Sequence, residues 1–114
     1  MKIFVQAVFK CQRCTFNTNT ILNIEEQRHV ETNYNTELLK GFLENNEMKE
    51  FLKRLQPQFD FLTDDDITNP LVSKNVKTLL FEIDIVNGYL QCEGCKLIYP
   101  IRDSILDTVD CIEQ

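Results

Sequence analysis

The strongest chemical signal in this 114-residue sequence is its cysteines, which form two closely spaced pairs and one single residue. Cys11 and Cys14 form the first Cys-x-x-Cys pair, Cys92 and Cys95 form the second, and Cys111 stands alone. A two-residue spacer lets both thiolates of one tight turn bind a single tetrahedral ion, and two such turns fill all four positions. Because no position is left for a substrate or an activated water, the pattern predicts a structural metal site.

Zinc is the ion that this pattern favours, and a rubredoxin-like iron site is the main alternative, because tetrahedral sulfur suits both metals. Structural disulfides fit less well, since the chain opens with no secretory signal pattern and a reducing compartment is expected. A thioredoxin-like redox pair needs no second pair far downstream. We therefore expect one zinc ion on the paired cysteines, with Gly94 helping the second pair to form a knuckle.

The long separation of the two pairs predicts how the chain is organised, because residues 15–91 lie between them. Closing a loop of that length costs about 4 kcal/mol in chain entropy. Structural zinc contributes about 10 to 16 kcal/mol in zinc-finger peptides, so the metal easily offsets this cost. The site is expected to clamp the two ends of the chain together, with an inserted segment between them.

Both ends of the chain have β-strand patterns. Residues 1–9 (MKIFVQAVF) are β-rich and end close to Cys11, and residues 21–32 favour a second strand. Over residues 81–92, Phe81, Ile83 and Ile85 alternate with acidic residues, which predicts a strand with its acidic side chains facing outward.

Two further β features are expected near the second cysteine pair. Asn87 and Gly88 tolerate positive φ and predict a tight hairpin turn. Residues 97–101 (LIYPI) predict another strand, and Pro100 indicates that one side of it is an edge of the sheet.

The middle of the chain has the spacing of short helices. Asn35 or Thr36 can cap a first helix, and a second is expected after Asn45 and Asn46 and before Pro57. The apolar faces of these two helices comprise Leu38, Leu39, Phe42 and Leu43, then Met48, Phe51, Leu52 and Leu55. Thr63 and the three aspartates 64–66 predict a capped helix start, and residues 71–80 a further helix limited by Pro70.

The predicted fold is therefore α+β. Residues 1–34 and 81–114 are expected to form a discontinuous zinc-knuckle β domain, and residues 35–80 an inserted helical lobe.

Composition argues against several functions. The formal net charge is -6 and the pI about 4.7, so the surface repels phosphate backbones. No apolar run is long enough to span a bilayer. The single histidine, His29, has no catalytic companions, the aspartate run fits a helix cap, and the three scattered glycines form no phosphate loop. We therefore expect no catalytic residue, no cofactor-binding loop, no membrane insertion and no tight nucleic-acid binding.

Several segments in the same order resemble a known family. They are MKIFVQAVFKC at the start, NTELL from Asn35, LTDDD from Leu62 and VNGYLQCEGCKLIYPI from Val86. Together they resemble the small zinc-binding activator subunit shared by several eukaryotic methyltransferases. A zinc-ribbon module that binds nucleic acid or the transcription machinery is the alternative hypothesis.

The resemblance implies a regulatory subunit, not an enzyme. Such a subunit forms one-to-one heterodimers with Rossmann-type methyltransferases, which bind S-adenosylmethionine and modify transfer RNA, ribosomal RNA and a class I translation termination factor. The expected compartment is the cytoplasm, with the nucleus as a second location.

The resemblance also implies the positions of the binding residues. The zinc ligands are Cys11, Cys14, Cys92 and Cys95, and the segment after them adds a strand to the partner's sheet. The expected partner-binding residues are Tyr99, Ile101, Arg102, Asp103, Ile105 and Leu106. Ser104 and the two residues after it replace the glycine, isoleucine and proline that usually follow in the family.

Overall fold

The computed structural model describes residues 1–14, 19–32, 40–41, 43 and 45–113. In these ranges the chain forms short helices and one antiparallel sheet, which confirms the predicted α+β class. The strands lie in the order β1-β2-β3-β4, and they are β1 (Thr20–His29), β2 (Ile83–Cys92), β3 (Ile98–Arg102) and β4 (Ile105–Leu106). The helices are α1 (Ile3–Val8), α2 (Asn46–Leu55), α3 (Asp64–Thr68) and α4 (Lys74–Lys77).

The chain divides into two compact units. The first joins Met1–Val30 with Ile83–Gln114, and the second is Glu31–Glu82. The domain boundaries expected from the sequence, at 34/35 and 80/81, stay a prediction, because compactness does not show that a unit folds independently. No helix in the described ranges is long and apolar enough to cross a membrane.

The first segment is helical, so the prediction of a strand over residues 1–9 is wrong. Helix α1 buries Ile3 and Gln6, which lie three residues apart and therefore share one helical face. Only Lys2 keeps a β-type pairing, as an isolated bridge to Asp84. Tertiary contacts override the β propensity of this segment, as they commonly do for short apolar runs.

Those contacts begin at the amino group of Met1, which is buried. It donates to the Oδ1 atom of Asp84 at 2.8 Å and to the carbonyl oxygens of Ile85 and Ser104, both at 2.7 Å. The Ile85 amide donates in turn to the Met1 carbonyl at 2.7 Å. Asp84 therefore faces inward, contrary to the alternation expected from the sequence, because a buried cation pairs with it.

Strand β2 is continuous through Asn87 and Gly88, so the predicted hairpin is wrong. Its whole length pairs with β1, whose register shifts between Ile24 and Glu26. A Cβ atom on Gly88 would lie 2.1 Å from the carbonyl oxygen of Asn23. The glycine is needed for close approach of two backbones at an irregular pairing, and not for a turn.

Strand β3 confirms the strand predicted over residues 97–101, but it lies inside the sheet and not at its edge. It pairs with β2 on one side, and β4 and Ile112 pair with it on the other. Pro100 faces that second side, where its carbonyl oxygen accepts from the Asp107 amide at 2.8 Å. Pro100 has no amide hydrogen to donate, and this is tolerated because β3 forms few pairs with β4 on that side.

The second unit contains the predicted second helix, α2. Asn45 caps it by accepting from the Glu47 amide at 2.9 Å, and its buried face is the expected apolar set. The helix ends at Leu55, and Gln56–Gln58 continue as a 3₁₀ turn that contains the proline. Of the predicted first helix, Asn35, Thr36, Leu38, Leu39 and Phe42 lie outside the described residues, and Leu43 is buried.

Helix α3 begins as predicted, with Thr63 and Asp66 forming a reciprocal capping box. The helix expected over residues 71–80 is shorter than predicted. It begins after Ser73, whose hydroxyl accepts from the Val76 amide, and it passes into a π-helical turn over Thr78–Glu82.

Candidate functional site

The two cysteine pairs come together in the first unit and form one cluster of four thiols. The Sγ atoms of Cys11 and Cys95 lie 3.6 Å apart, as do those of Cys14 and Cys92, and all four lie within 4.8 Å of one another. Four sulfurs at about 2.3 Å from a tetrahedral zinc ion are about 3.8 Å apart. The four sulfur donors and their spacing therefore fit one metal ion. In the described ranges, no other group of three or more histidine, cysteine, aspartate or glutamate side chains is arranged to hold a metal ion.

The first pair is delivered by the short connection after α1. Helix α1 ends at Val8, and Phe9 turns the backbone to an extended conformation that leads into Cys11. The ring of Phe9 packs edge-on against Tyr99, with centroids 4.8 Å apart. Packing on the sheet thus fixes the point from which the first knuckle starts.

The second pair sits in the turn between β2 and β3, and Cys92 is the last residue of β2. The Lys96 amide donates to the Cys92 carbonyl at 2.9 Å, and the Cys92 amide donates to the Leu97 carbonyl at 3.0 Å. Lys96 has the left-handed conformation that closes this turn, with φ 66°. Gly94 was expected to supply the conformational freedom of the knuckle, but positive φ falls on Lys96 instead.

The surroundings of Cys14 and Cys95 shift the pKa values of these two thiols in opposite directions. Hydrogen bonding to Cys95 and then to Cys92 raises the pKa of Cys14 to about 12. The pKa of Cys95 is lowered, mainly because the Leu97 backbone amide donates to its sulfur. A metal ion bound here must displace the remaining protons, since only thiolates are ligands.

Two side chains that were not predicted from the sequence to belong to this site, those of Tyr99 and Arg13, make hydrogen bonds to the cysteine knuckles. The Tyr99 hydroxyl lies 3.1 Å from the Cys11 sulfur and 3.1 Å from the Gln12 backbone nitrogen. Arg13 donates to the Cys95 carbonyl at 3.0 Å and forms an ion pair with Glu113. No sequence motif marks these contacts, because they join residues more than 80 positions apart.

Cys111 and His29 are not part of the cluster. Cys111 is half-buried, and burial followed by the nearby charge of Asp107 raises the pKa of its thiol. A raised pKa keeps the thiol protonated and lowers its reactivity. His29 is exposed at the end of β1, and the aspartate run caps α3.

The six residues expected to bind a partner divide into buried and exposed groups. The side chains of Tyr99 and Ile101 are fully buried, so they support β3 from within the unit. Arg102 and Asp103 are exposed, Leu106 is half-buried, and Ile105 is 68% exposed. Their positions do not test the expected partner contact, which stays a prediction.

The turn between β3 and β4 presents Ile105 to solvent. Asp103 and Ser104 adopt left-handed conformations, with φ 50° and 68°. The Ser104 amide donates to the Val86 carbonyl at 2.9 Å, and its hydroxyl donates to Asp84 at 2.7 Å. These side-chain and backbone contacts hold the turn, although it contains no glycine.

Comparison with known proteins identifies a family and several similar solved structures. The family model described as Trm112p-like protein matches residues 37–104. A chain in the structure of the E. cuniculi Mtq2–Trm112 complex, responsible for methylation of the eRF1 translation termination factor, has 35% sequence identity and a TM-score of 0.73. The match covers 100% of this chain and 99% of that chain. A search of curated proteins gave no match.

Proposed function

Because this chain belongs to the Trm112p-like protein family, we propose that it is a zinc-containing, non-catalytic subunit that activates and stabilises S-adenosylmethionine-dependent methyltransferases. The single observation that supports this most strongly is the full-length likeness to a chain of a methyltransferase complex. The catalytic partner has a Rossmann-type fold, binds S-adenosylmethionine and forms a one-to-one heterodimer with this chain. Its substrates are components of translation, among them the termination factor eRF1.

The four-thiol cluster supports a structural role for the metal. All four ligand positions are taken by cysteine, so a bound ion has no site for substrate or water. Zinc is the proposed ion, and a red protein that carries one iron per chain would contradict that choice.

The outer edge of β4 is the proposed docking edge, which we define as residues 103–106. Strand β1 is the other end of the sheet, but its residues from Glu25 to His29 are all exposed and mostly charged or polar, and its pairing is irregular. Charges and bulges are features that keep an edge from pairing with another chain. At β4 the exposed side chain is instead apolar, namely Ile105. An apolar edge suits sheet extension by a partner strand.

Charge supports a protein partner over nucleic acid. The formal charge of -6 repels RNA, so the zinc-ribbon hypothesis of direct nucleic-acid binding is not favoured. The same charge complements a basic RNA-modifying enzyme and speeds its association. Retention of the isolated chain by RNA at low salt, with loss at high salt, would support the alternative.

Co-expression tests the proposed function. The chain is produced with a candidate catalytic subunit, and the soluble fraction is analysed by size exclusion and by methyl transfer from labelled S-adenosylmethionine. We expect a one-to-one complex that is active, no activity of this chain alone, and a catalytic subunit that aggregates alone because its apolar surface is uncovered. Affinity capture with this chain, followed by mass spectrometry, identifies the candidate catalytic subunits. The proposal would be contradicted if no methyltransferase is captured, or if none of those captured forms a complex with this chain on co-expression.

Substitution at the docking edge tests where the partner binds. Ile105→Asp places a charge on the apolar edge and should weaken the complex by at least about thirtyfold, the effect of losing an interface hot spot. Val72→Asp is the matched control, because Val72 is 80% exposed and lies in the other unit. Dissociation of each co-expressed complex on serial dilution, followed by size exclusion, gives both affinities. Equal affinities for the two variants would show that the partner binds elsewhere.

A further inference from the structure

The side chain of Tyr99 points to the metal centre and not to the docking edge. It is fully buried, and its hydroxyl oxygen lies 3.1 Å from the Sγ atom of Cys11. The same oxygen lies 3.1 Å from the backbone nitrogen of Gln12, the residue after that ligand. Tyr99 belongs to β3 and pairs with Leu90 of β2, so the hydroxyl links the first knuckle to the middle of the sheet.

The direction of both hydrogen bonds is fixed when Cys11 binds a metal. The Gln12 amide can only donate, so the Tyr99 oxygen accepts from it. Between the hydroxyl and a Cys11 thiol either atom could donate. A metal-bound cysteine is a thiolate and has no hydrogen of its own, so it can only accept. Binding of a metal therefore strengthens this contact, because the acceptor becomes charged.

The ring of Tyr99 is also held by packing against Phe9. Phe9 packs edge-on against it, with the ring planes at 74°. Phe9 precedes Cys11 by two residues, so the same short segment contacts the ring and supplies a ligand. This packing restricts the Tyr99 side chain, so little side-chain freedom is lost when the hydrogen bond forms.

We propose that Tyr99 is a positioning residue of the metal centre, whose hydroxyl donates a hydrogen bond to the metal-bound thiolate of Cys11 and slows release of the ion. The inference rests on the proposed metal site. It gives Tyr99 a role distinct from the partner contact expected from the sequence. Hydrogen bonds from outside the ligand set typically change metal affinity by about 10- to 100-fold when they are removed.

Tyr99→Phe tests this role, because it removes only the hydroxyl and keeps the ring. The rate of zinc transfer from the purified protein to excess chromogenic chelator is measured by absorbance. We expect release about tenfold faster than from the unaltered protein. Tyr89→Phe is the matched control, since it removes a hydroxyl from the neighbouring strand β2 and should leave the rate unchanged.

Cobalt substitution gives a readout that a purely structural role would not move. Co²⁺ replaces zinc, and the thiolate-to-cobalt charge-transfer band is recorded for each variant. Loss of a donor to the Cys11 sulfur makes that sulfur more electron-rich, so the band of Tyr99→Phe should move to longer wavelength. Phe9→Leu loosens the packing that positions the hydroxyl, so its band should move in the same direction by a smaller amount, while the band of Tyr89→Phe should stay in place.

The outcomes separate this role from the metal site itself. A wild-type protein that carries no metal by mass spectrometry would contradict the proposed site. A metal-loaded Tyr99→Phe variant with an unchanged band and a release rate within twofold of wild type would overturn the role of Tyr99. If Tyr99→Phe does not fold, an unchanged band and an unchanged release rate in Phe9→Leu would overturn it as well, because a less well positioned hydroxyl should change both.

Discussion

Asp66 illustrates how one side chain can hold several segments of the second unit. It accepts from the amide and the hydroxyl of Thr63, both at 2.9 Å, and from Asn75 and Ser73 at 3.0 and 2.7 Å. Burial by itself raises the pKa of this carboxyl group, but the four hydrogen bonds outweigh it and lower the pKa to about 2. The carboxylate joins the start of α3 to the start of α4, so its charge supports both helices.

Asp66→Asn is therefore expected to destabilise the protein by about 1 to 3 kcal/mol, because the amide cannot accept the same four hydrogen bonds. Asp65→Asn is the control, since Asp65 is the exposed neighbour in the same helix turn. Chemical unfolding at neutral pH, with matched metal content, gives the two free energies. If both variants lose the same free energy of unfolding, Asp66 stabilises the protein only as any acidic residue in the first turn of a helix does.

The effect of Asp66 should also depend on pH in a defined direction. Its folded pKa of about 2 is below the ordinary value of 3.8, so its contribution is complete above about pH 4. The contribution is lost as pH falls from about 4 towards 2, where the folded state also becomes protonated. The stability difference between wild type and Asp66→Asn should be constant from pH 7 to pH 5 and shrink below pH 4.

Pairing of β1 with β2 depends on one close backbone contact. The register of β1 shifts opposite Gly88 and Asn87, and the Asn23 carbonyl approaches the glycine so closely that a side chain cannot fit. Gly88 also has φ 156°, a value that other residues rarely adopt. Both observations make this position a requirement for glycine inside a strand.

Gly88→Ala should destabilise the protein by about 1 to 3 kcal/mol, because the added Cβ must push β1 away from β2. Gly41→Ala is a direct control, since a Cβ added there meets nothing within 4 Å beyond its own chain neighbourhood in the part of the chain that the structure describes. This control should therefore change stability little. Thermal unfolding of both variants measures the contrast, and equal midpoints would contradict the close contact.

Elements were predictable from the sequence where local signals agree with the tertiary contacts. The capping box at Thr63 and the Asn45 cap are local hydrogen-bond patterns, and both form as expected. The turn expected at Gly88 was wrong because glycine permits close approach as well as positive φ. The strand expected over residues 1–9 was wrong, because the segment forms a helix after Met1. The buried amino group of Met1 holds the beginning of this segment against Asp84, and no sequence pattern reveals that contact.

The four cysteines of the thiol cluster were predictable from the sequence, but their surroundings were not. The two Cys-x-x-Cys pairs identify Cys11, Cys14, Cys92 and Cys95, because the spacing alone restricts how two thiols can meet one ion. The role of Tyr99 was not predictable, since nothing in the sequence shows which strand residue faces a knuckle 88 positions away. Contacts of that range depend on the completed sheet and not on a local pattern.

The first unit is assembled from both ends of the chain, and the thiol cluster is one of several links between them. The Met1 ammonium pairs with Asp84, and Arg13 pairs with Glu113. Neither of these ion pairs closes the chain as strongly as a metal that binds four thiolates at once. The second unit contains no cysteine, and its core is built from its own apolar residues, among them Leu52, Ile67, Val76 and Leu79.

Removal of the metal should therefore affect the two units differently. Without the ion, four thiols in close contact must take up protons, and the closure of residues 15–91, costing about 4 kcal/mol, is no longer offset by the metal. Hydrogen exchange followed by mass spectrometry, before and after treatment with a chelator, should show faster exchange in β3 and β4 while α2 keeps its protection. Added zinc should restore the slow exchange, and the untreated protein with chelator omitted is the control. Equal acceleration in α2 would mean that the two units unfold as one, and unchanged exchange in β3 would mean that the metal does not clamp the chain ends.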